Sequence, residues 1–200
     1  MRVLILGVGL IGGSLALDLR ARGAQVTGHG RNPEALHGAV RAGVLDAVSH
    51  DLGADAAGAD VVVLGVPVGA MRAAMAAVAH TLRADALLMD VGSTKASVVA
   101  DAAAVWGAPP AQFVPAHPLA GGEHTGFAHA RAGLFEGRRV VLPPLPGTAP
   151  DALARARALW ADVGAQVLDM TPDAHDAALA ATSHLPHVAA FALMAALGAR

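Results

Sequence analysis

The chain has 200 residues, 54% of them hydrophobic and 15% charged, too apolar for a disordered segment and ample for a large core. A net charge of −2 and 3% aromatic residues exclude a basic footprint for nucleic acid and aromatic platforms for single strands. The absence of cysteine excludes disulfides, thiolate zinc sites and cysteine nucleophiles.

The apolar run from Val3 to Leu17 is interrupted by four glycines and closed by Asp18 and Arg20. It reads as strand, tight turn and helix rather than as a signal or membrane segment, and a cytoplasmic protein with no membrane partner is expected. Val3 to Leu6 is the strand, and Leu10 to Arg22 is the helix, stopped by Gly23. Ala24 to Gly28 forms a second strand, and Asn32-Pro33-Glu34 starts a helix that runs to about Ala42. Asp60 to Val66 is a continuous apolar strand, so both of its faces should be buried. A helix follows to about His80, then a buried strand from Ala86 to Val91 and a helix from Lys95 to Trp106. Phe113 to Ala116 is a short strand leading into His117-Pro118. Arg139 to Leu142 is a late strand, Asp151 to Val163 a helix and Gln166 to Asp169 a last strand. From Thr171 the pattern is all-helical, with Thr171 as N-cap and Pro172 at the first helical position. Ser183 to Arg200 reads as an apolar helix broken at Pro186. A helix this apolar needs a covering layer.

Strands alternating with helices predict an α/β fold with a mostly parallel sheet covered on both faces. Gly7-Val8-Gly9-Leu10-Ile11-Gly12 fits G-x-G-x-x-G between a strand and a helix, the context of a Rossmann-type dinucleotide site. Gly7 permits the turn, Gly9 lets the backbone approach a pyrophosphate and Gly12 lets the helix pack on the strand. The helix start at Leu10 and Ile11 supplies free N–H groups to the phosphates, and Val66, at the end of the third long strand, is expected to line the same crevice. After the second strand, the position that holds the ribose in NAD proteins is Gly30, followed by Arg31. No carboxylate stands there to repel a 2′-phosphate, and Arg31 can pair with one, so NADP is favoured over NAD.

Asp90 to Lys95 (DVGSTK) follows a buried strand, where an open parallel sheet presents residues to its ligand crevice. Lys95 is the only lysine beside 13 arginines, which suggests a need for a compact ammonium at the substrate. Ser93 can bond a substrate hydroxyl or the cofactor; its alternative is a plain cap for the following helix. His117 should reach the same rim, and an imidazole there can take a hydroxyl proton as hydride leaves. His184 and His187 lie three residues apart and share a helix face if the helix resumes. A metal would need a third ligand, and none lies at suggestive spacing, so no metal site is expected.

GLIGGSLA (Gly9 to Ala16), DVGSTK, HPLAGGEHTG (His117 to Gly126) and SHLPH (Ser183 to His187) together resemble the prephenate/arogenate dehydrogenase family of tyrosine biosynthesis. That resemblance implies NAD(P)-dependent oxidative decarboxylation of prephenate or arogenate. His117 matches the histidine that takes the hydroxyl proton, and Ser93 the serine that helps to hold both. Glu123 matches an acidic residue at the site mouth, and Ser183, His184 and His187 match the motif lining the substrate pocket. It further implies a dinucleotide-binding domain over 1–170, and over 171–200 the beginning of a helical substrate and dimerisation domain, apparently truncated. A homodimer is expected once that domain is present.

Overall fold

The computed structural model describes residues 1–198. Six parallel strands form the main sheet: β1 (Arg2–Leu6), β2 (Gln25–His29), β3 (Ala47–Val48), β4 (Val61–Leu64), β5 (Leu87–Asp90) and β6 (Phe113–Val114). Their spatial order is β3-β2-β1-β4-β5-β6, the doubly wound order of dinucleotide-binding domains, with the chain reversing direction across the sheet between β1 and β4. Helices α1 (Leu10–Ala21), α2 (Pro33–Arg41), α3 (Leu52–Gly58), α4 (Met71–Val78) and α5 (Ala96–Trp106) make the crossovers. The strand interiors are unbroken apolar runs because both faces are covered. Side chains alternate: Val3, Ile5, Val61, Val63, Leu87 and Met89 enter one core cluster, while Leu4, Leu6, Val62, Leu64 and Leu88 enter the other.

The strand ladder does not continue as one sheet. Pro115 follows β6 and has no N–H to give to a neighbour, so the edge strand stops after two residues. The chain then starts a second sheet, β7 (His117–Pro118), β8 (Arg139–Leu142) and β9 (Gln166–Asp169), in the order β7-β8-β9. Here β7 and β8 are antiparallel and β8 and β9 parallel. Helix α6 (Pro150–Asp162) bridges both sheets. Its Trp160 is fully buried and meets Phe135 edge-on at 5.3 Å, which merges the second sheet with the first core cluster.

The helical tail differs from the sequence expectation. Pro186 does not break it: α7 (Pro172–Leu179), a π-helical turn (Ala180–His184) and α8 (Leu185–Gly198) form one run from Pro172 to Gly198. In a regular helix the Pro186 ring would clash with the Thr182 carbonyl. The wide turn opens the backbone ladder at that point, as π-bulges do. The last residues of the helix expected to reach Arg200, Ala199 and Arg200, lie outside the described residues. Along α8, Leu185, Val188, Phe191, Leu193, Met194 and Leu197 are exposed.

Candidate active site

The carboxyl ends of β1 and β4 are drawn together by glycine. Gly7 has φ +93°, and a Cβ on it would fall 2.5 Å from the Gly65 carbonyl oxygen. A Cβ on Gly65 would in turn lie 2.6 Å from the Gly7 oxygen. Gly12 is as tight, its Cβ position lying 2.4 Å from the Gly7 oxygen. Gly9 is the opposite case: a Cβ there would meet no protein atom within 4 Å. Gly9 caps α1 without a side-chain bond and no acid stands in the first turn. The N–H groups of the first turn therefore face open space with a partial positive charge. These features fit the pyrophosphate of a dinucleotide.

That turn opens on a crevice of about 1120 Å³ whose lining includes Leu10, Ile11, Arg31, Val66 and Ser93. Arg31 is exposed just past β2, in reach of the crevice. The lining includes no carboxylate.

The edge of β5 and β6 is held by a buried ion pair. Lys95 Nζ bonds the Asp90 carboxylate and donates to the Ala116 carbonyl at 2.6 Å. Asp90 also accepts from the Gly92 and Ala116 N–H groups at 2.8 and 3.2 Å. Both side chains are 0% exposed. Burial pushes the Lys95 ammonium below its usual range, with Asp90 opposing. Lys95 was expected at the substrate, and the structure corrects this: its charge is spent inside the protein, tying the loop after β5 to the chain after β6. The Ser93 backbone on that loop is thereby fixed. Ser93 itself is exposed and lines the crevice. It does not cap α5, whose N-cap residue is Lys95 with no capping side chain of its own.

His117, in β7, lies past the end of β6 at the same edge of the fold, partly buried and just outside the crevice lining. Its Nδ1 meets His175 Nε2 at 2.8 Å, and His175 Nδ1 meets Asp176 Oδ1 at 2.7 Å. Asp176 also accepts from the N–H groups of Lys95 at 2.7 Å and Ala96 at 2.9 Å, so a carboxylate from α7 caps α5. Burial alone would raise the Asp176 carboxyl, but those two N–H groups and His175 hold it below its usual value. Burial, then the charges of Lys95, His175 and His184, lower the His117 imidazole to about 3, with Asp176 opposing. The ring is neutral at physiological pH.

His175 and Asp176 escaped sequence reading because they lie past the first turn of α7, whose acid is Asp173, and nothing local marks a carboxylate that caps a different helix. The available signal was a helix start at Ala96 without a capping side chain on its own segment. His184, on the π-helical turn, is close enough to bear on the His117 charge, and Ser183 is half-buried beside it. His187 does not share that position: it is exposed and bonds the Ser183 carbonyl through Nδ1 at 2.7 Å. Glu123 is exposed on the loop after β7, between Gly122 and His124, which do line the crevice. Among the described residues no cluster of three or more His, Asp or Glu side chains is arranged to hold a metal.

A family model described as prephenate dehydrogenase, nucleotide-binding domain, matches residues 15–169, and one described as prephenate dehydrogenase, dimerization domain, matches residues 171–200. The chain belongs to the prephenate dehydrogenase family. A cyclohexadienyl dehydrogenase from Zymomonas mobilis is 38% identical over 194 residues, covering 96% of this chain and 66% of that protein. The prephenate dehydrogenase of Aquifex aeolicus in complex with hydroxyphenyl propionate and NAD+ superposes with a TM-score of 0.90 at 36% identity, over 98% of this chain and 69% of that one. The arogenate dehydrogenase of Synechocystis gives a TM-score of 0.87 at 32% identity, over 98% and 69%. The chain spans from about half to two thirds of the curated relatives it matches, 49% to 66%.

Proposed function

We propose that this chain provides the cofactor site and the proton-accepting residues of a dehydrogenase that oxidatively decarboxylates prephenate or arogenate. The observation that carries the reading is the shared carboxyl edge. The glycine cradle at β1 and β4, Ser93 after β5 and His117 after β6 all lie there. Bound in the crevice, a nicotinamide dinucleotide supplies the hydride acceptor. Gly9 and the first turn of α1 would hold its phosphates. Arg31 suits a 2′-phosphate, which favours NADP; NAD, present in the Aquifex complex, is the other outcome.

His117 Nε2 would take the proton of the substrate hydroxyl while Ser93 bonds the same oxygen. The carbon–hydrogen pair leaves as hydride, the ring carboxylate departs as carbon dioxide and its bonding electrons complete the aromatic ring. An imidazole lowered to about 3 is a weak base when the site is empty. A substrate carboxylate beside it favours the charged form and raises it. His184 and Ser183 are assigned to the substrate side, Glu123 to its mouth and His187 to a position further out. The exposed apolar residues of α8 suit a second copy of the chain, in keeping with the dimerization-domain match.

The test is reduction of NADP+ or NAD+ by this chain with prephenate and with arogenate. His117→Asn should lower turnover by about 10²–10⁴-fold. Full activity in that variant would remove the assigned base. Cofactor binding with no turnover of either substrate would reduce the reading to a dinucleotide-binding module.

A further inference from the structure

The chain Asp176–His175–His117 fixes where each proton sits. An ionised carboxylate only accepts, and Asp176 already accepts from the N–H groups of Lys95 and Ala96. His175, 2.7 Å away through Nδ1, must therefore donate from that nitrogen. Its ring is 0% exposed, so a second proton on Nε2 would add a buried cation. As a neutral ring, His175 presents a lone pair on Nε2. His117 Nδ1, 2.8 Å from it, then carries the hydrogen of that bond. The lone pair of His117 is left on Nε2.

We propose that His175 and Asp176 are positioning residues that lock His117 as its Nδ1–H tautomer, so that Nε2 is the basic atom. The proposal rests on reading His117 as the proton acceptor. In water a neutral imidazole samples both tautomers, and one of them places a hydrogen where the base is needed. The hydrogen-bond chain removes that tautomer. The anchor is shared: the carboxylate that orients His175 also caps α5, and so holds the loop that presents Ser93. One side chain of α7 thus sets both the protonation of the imidazole and the backbone that carries the hydroxyl. The charged and titratable groups around His117 are His175 and Asp176 from α7, Lys95 from the start of α5 and His184 from the π-helical turn. Of these, His175 makes the ring-to-ring bond.

The experiment is long-range proton–nitrogen NMR on the full chain labelled with ¹⁵N in its histidine rings. The His117 signals are assigned by their loss in His117→Asn. The expected spectrum shows Nδ1 protonated and Nε2 bare near neutral pH. His175→Leu should release the lock and shift His117 to a mixture or to the Nε2–H form. His175→Gln should restore the wild-type pattern, because its side-chain oxygen can accept from Nδ1. An Nε2–H tautomer in the wild type overturns the proposal, as does an unchanged tautomer in a folded His175→Leu. Should that variant not fold, the wild-type and His175→Gln spectra decide. No cofactor or substrate is present, so a dehydrogenase assay that fails beside the expected spectrum counts against the function and leaves the lock standing.

Discussion

Replacing Lys95 by Met tests whether the lysine is an internal strut or a substrate contact. Methionine keeps most of the volume and removes the ammonium. Asp90 would lose its counter-charge at 0% exposure, and the Ala116 carbonyl would lose the donor now 2.6 Å away. Breaking a buried pair from one side costs about 3–5 kcal/mol. The N–H groups of Gly92 and Ala116 still serve the Asp90 carboxylate, which puts the cost towards the lower end, about 3 kcal/mol. For a domain of this size each kcal/mol moves the midpoint by about 2–4 °C, so Tm should fall by about 6–12 °C in thermal denaturation followed by circular dichroism. Asp90→Asn in the same chain should recover part of the loss, because no unpaired charge then remains buried. A Tm within about 2 °C of wild type, the behaviour of a surface substitution, would mean that the ammonium faces the crevice and that the strut is wrong.

The two glycines of the first turn should separate fold from binding. Gly12→Ala places its Cβ 2.4 Å from the Gly7 oxygen and should cost about 1–3 kcal/mol of stability by overpacking. Gly9→Ala meets nothing within 4 Å, so Tm should hold while dinucleotide affinity by calorimetry falls about tenfold or more, the methyl standing where the backbone should approach phosphate. Equal affinity in Gly9→Ala would move the phosphates elsewhere. Gly30→Asp is tolerated sterically, its nearest contact being Leu36 at 3.8 Å, and should shift preference from NADP towards NAD; an unchanged ratio would dismiss Arg31 as a phosphate partner. A histidine lowered from 6.5 to about 3 on folding binds fewer protons folded than unfolded. Its neutral burial costs nothing above pH 6.5, and stability is lost as pH falls from there towards 3. His117→Gln should therefore lose less Tm than wild type between pH 7.5 and pH 5, and parallel acid limbs would contradict the buried neutral ring.

Most of the main sheet was legible because its strands are buried on both faces and therefore written as unbroken apolar runs: Val61–Leu64 and Leu87–Asp90 stand out between glycines and acids. The glycine turn was legible for the same local reason, a strand end and a helix start around fixed spacings. Helix α3 and strand β3 were missed: α3 has seven residues, two of them glycine, and β3 has two, so neither holds a period long enough to read. The split into two sheets turns on Pro115, whose missing donor matters only once its neighbours are known. The site was half legible. Ser93 and His117 follow strand ends, a local feature. Lys95 and Asp90 stand five residues apart in one motif, but a sequence shows the charges without showing which face turns inward, and the Asp176 anchor joins segments 81 residues apart. Pro186 shows the reverse error, a strong local breaker absorbed by one wide helical turn.

The proposed function requires a dinucleotide seated at the carboxyl edge of the main sheet beside the imidazole. Backbone amide NMR of the chain titrated with NADP+ and with NAD+ reads this directly. Saturable shifts concentrated at Leu10, Ile11, Gly12, Val66 and Ser93 are expected, with a smaller response at His117. Shifts confined to the opposite edge, around Arg2, Gln25 and Asp55 where a second and smaller hollow lies, or no response at millimolar dinucleotide, would contradict it.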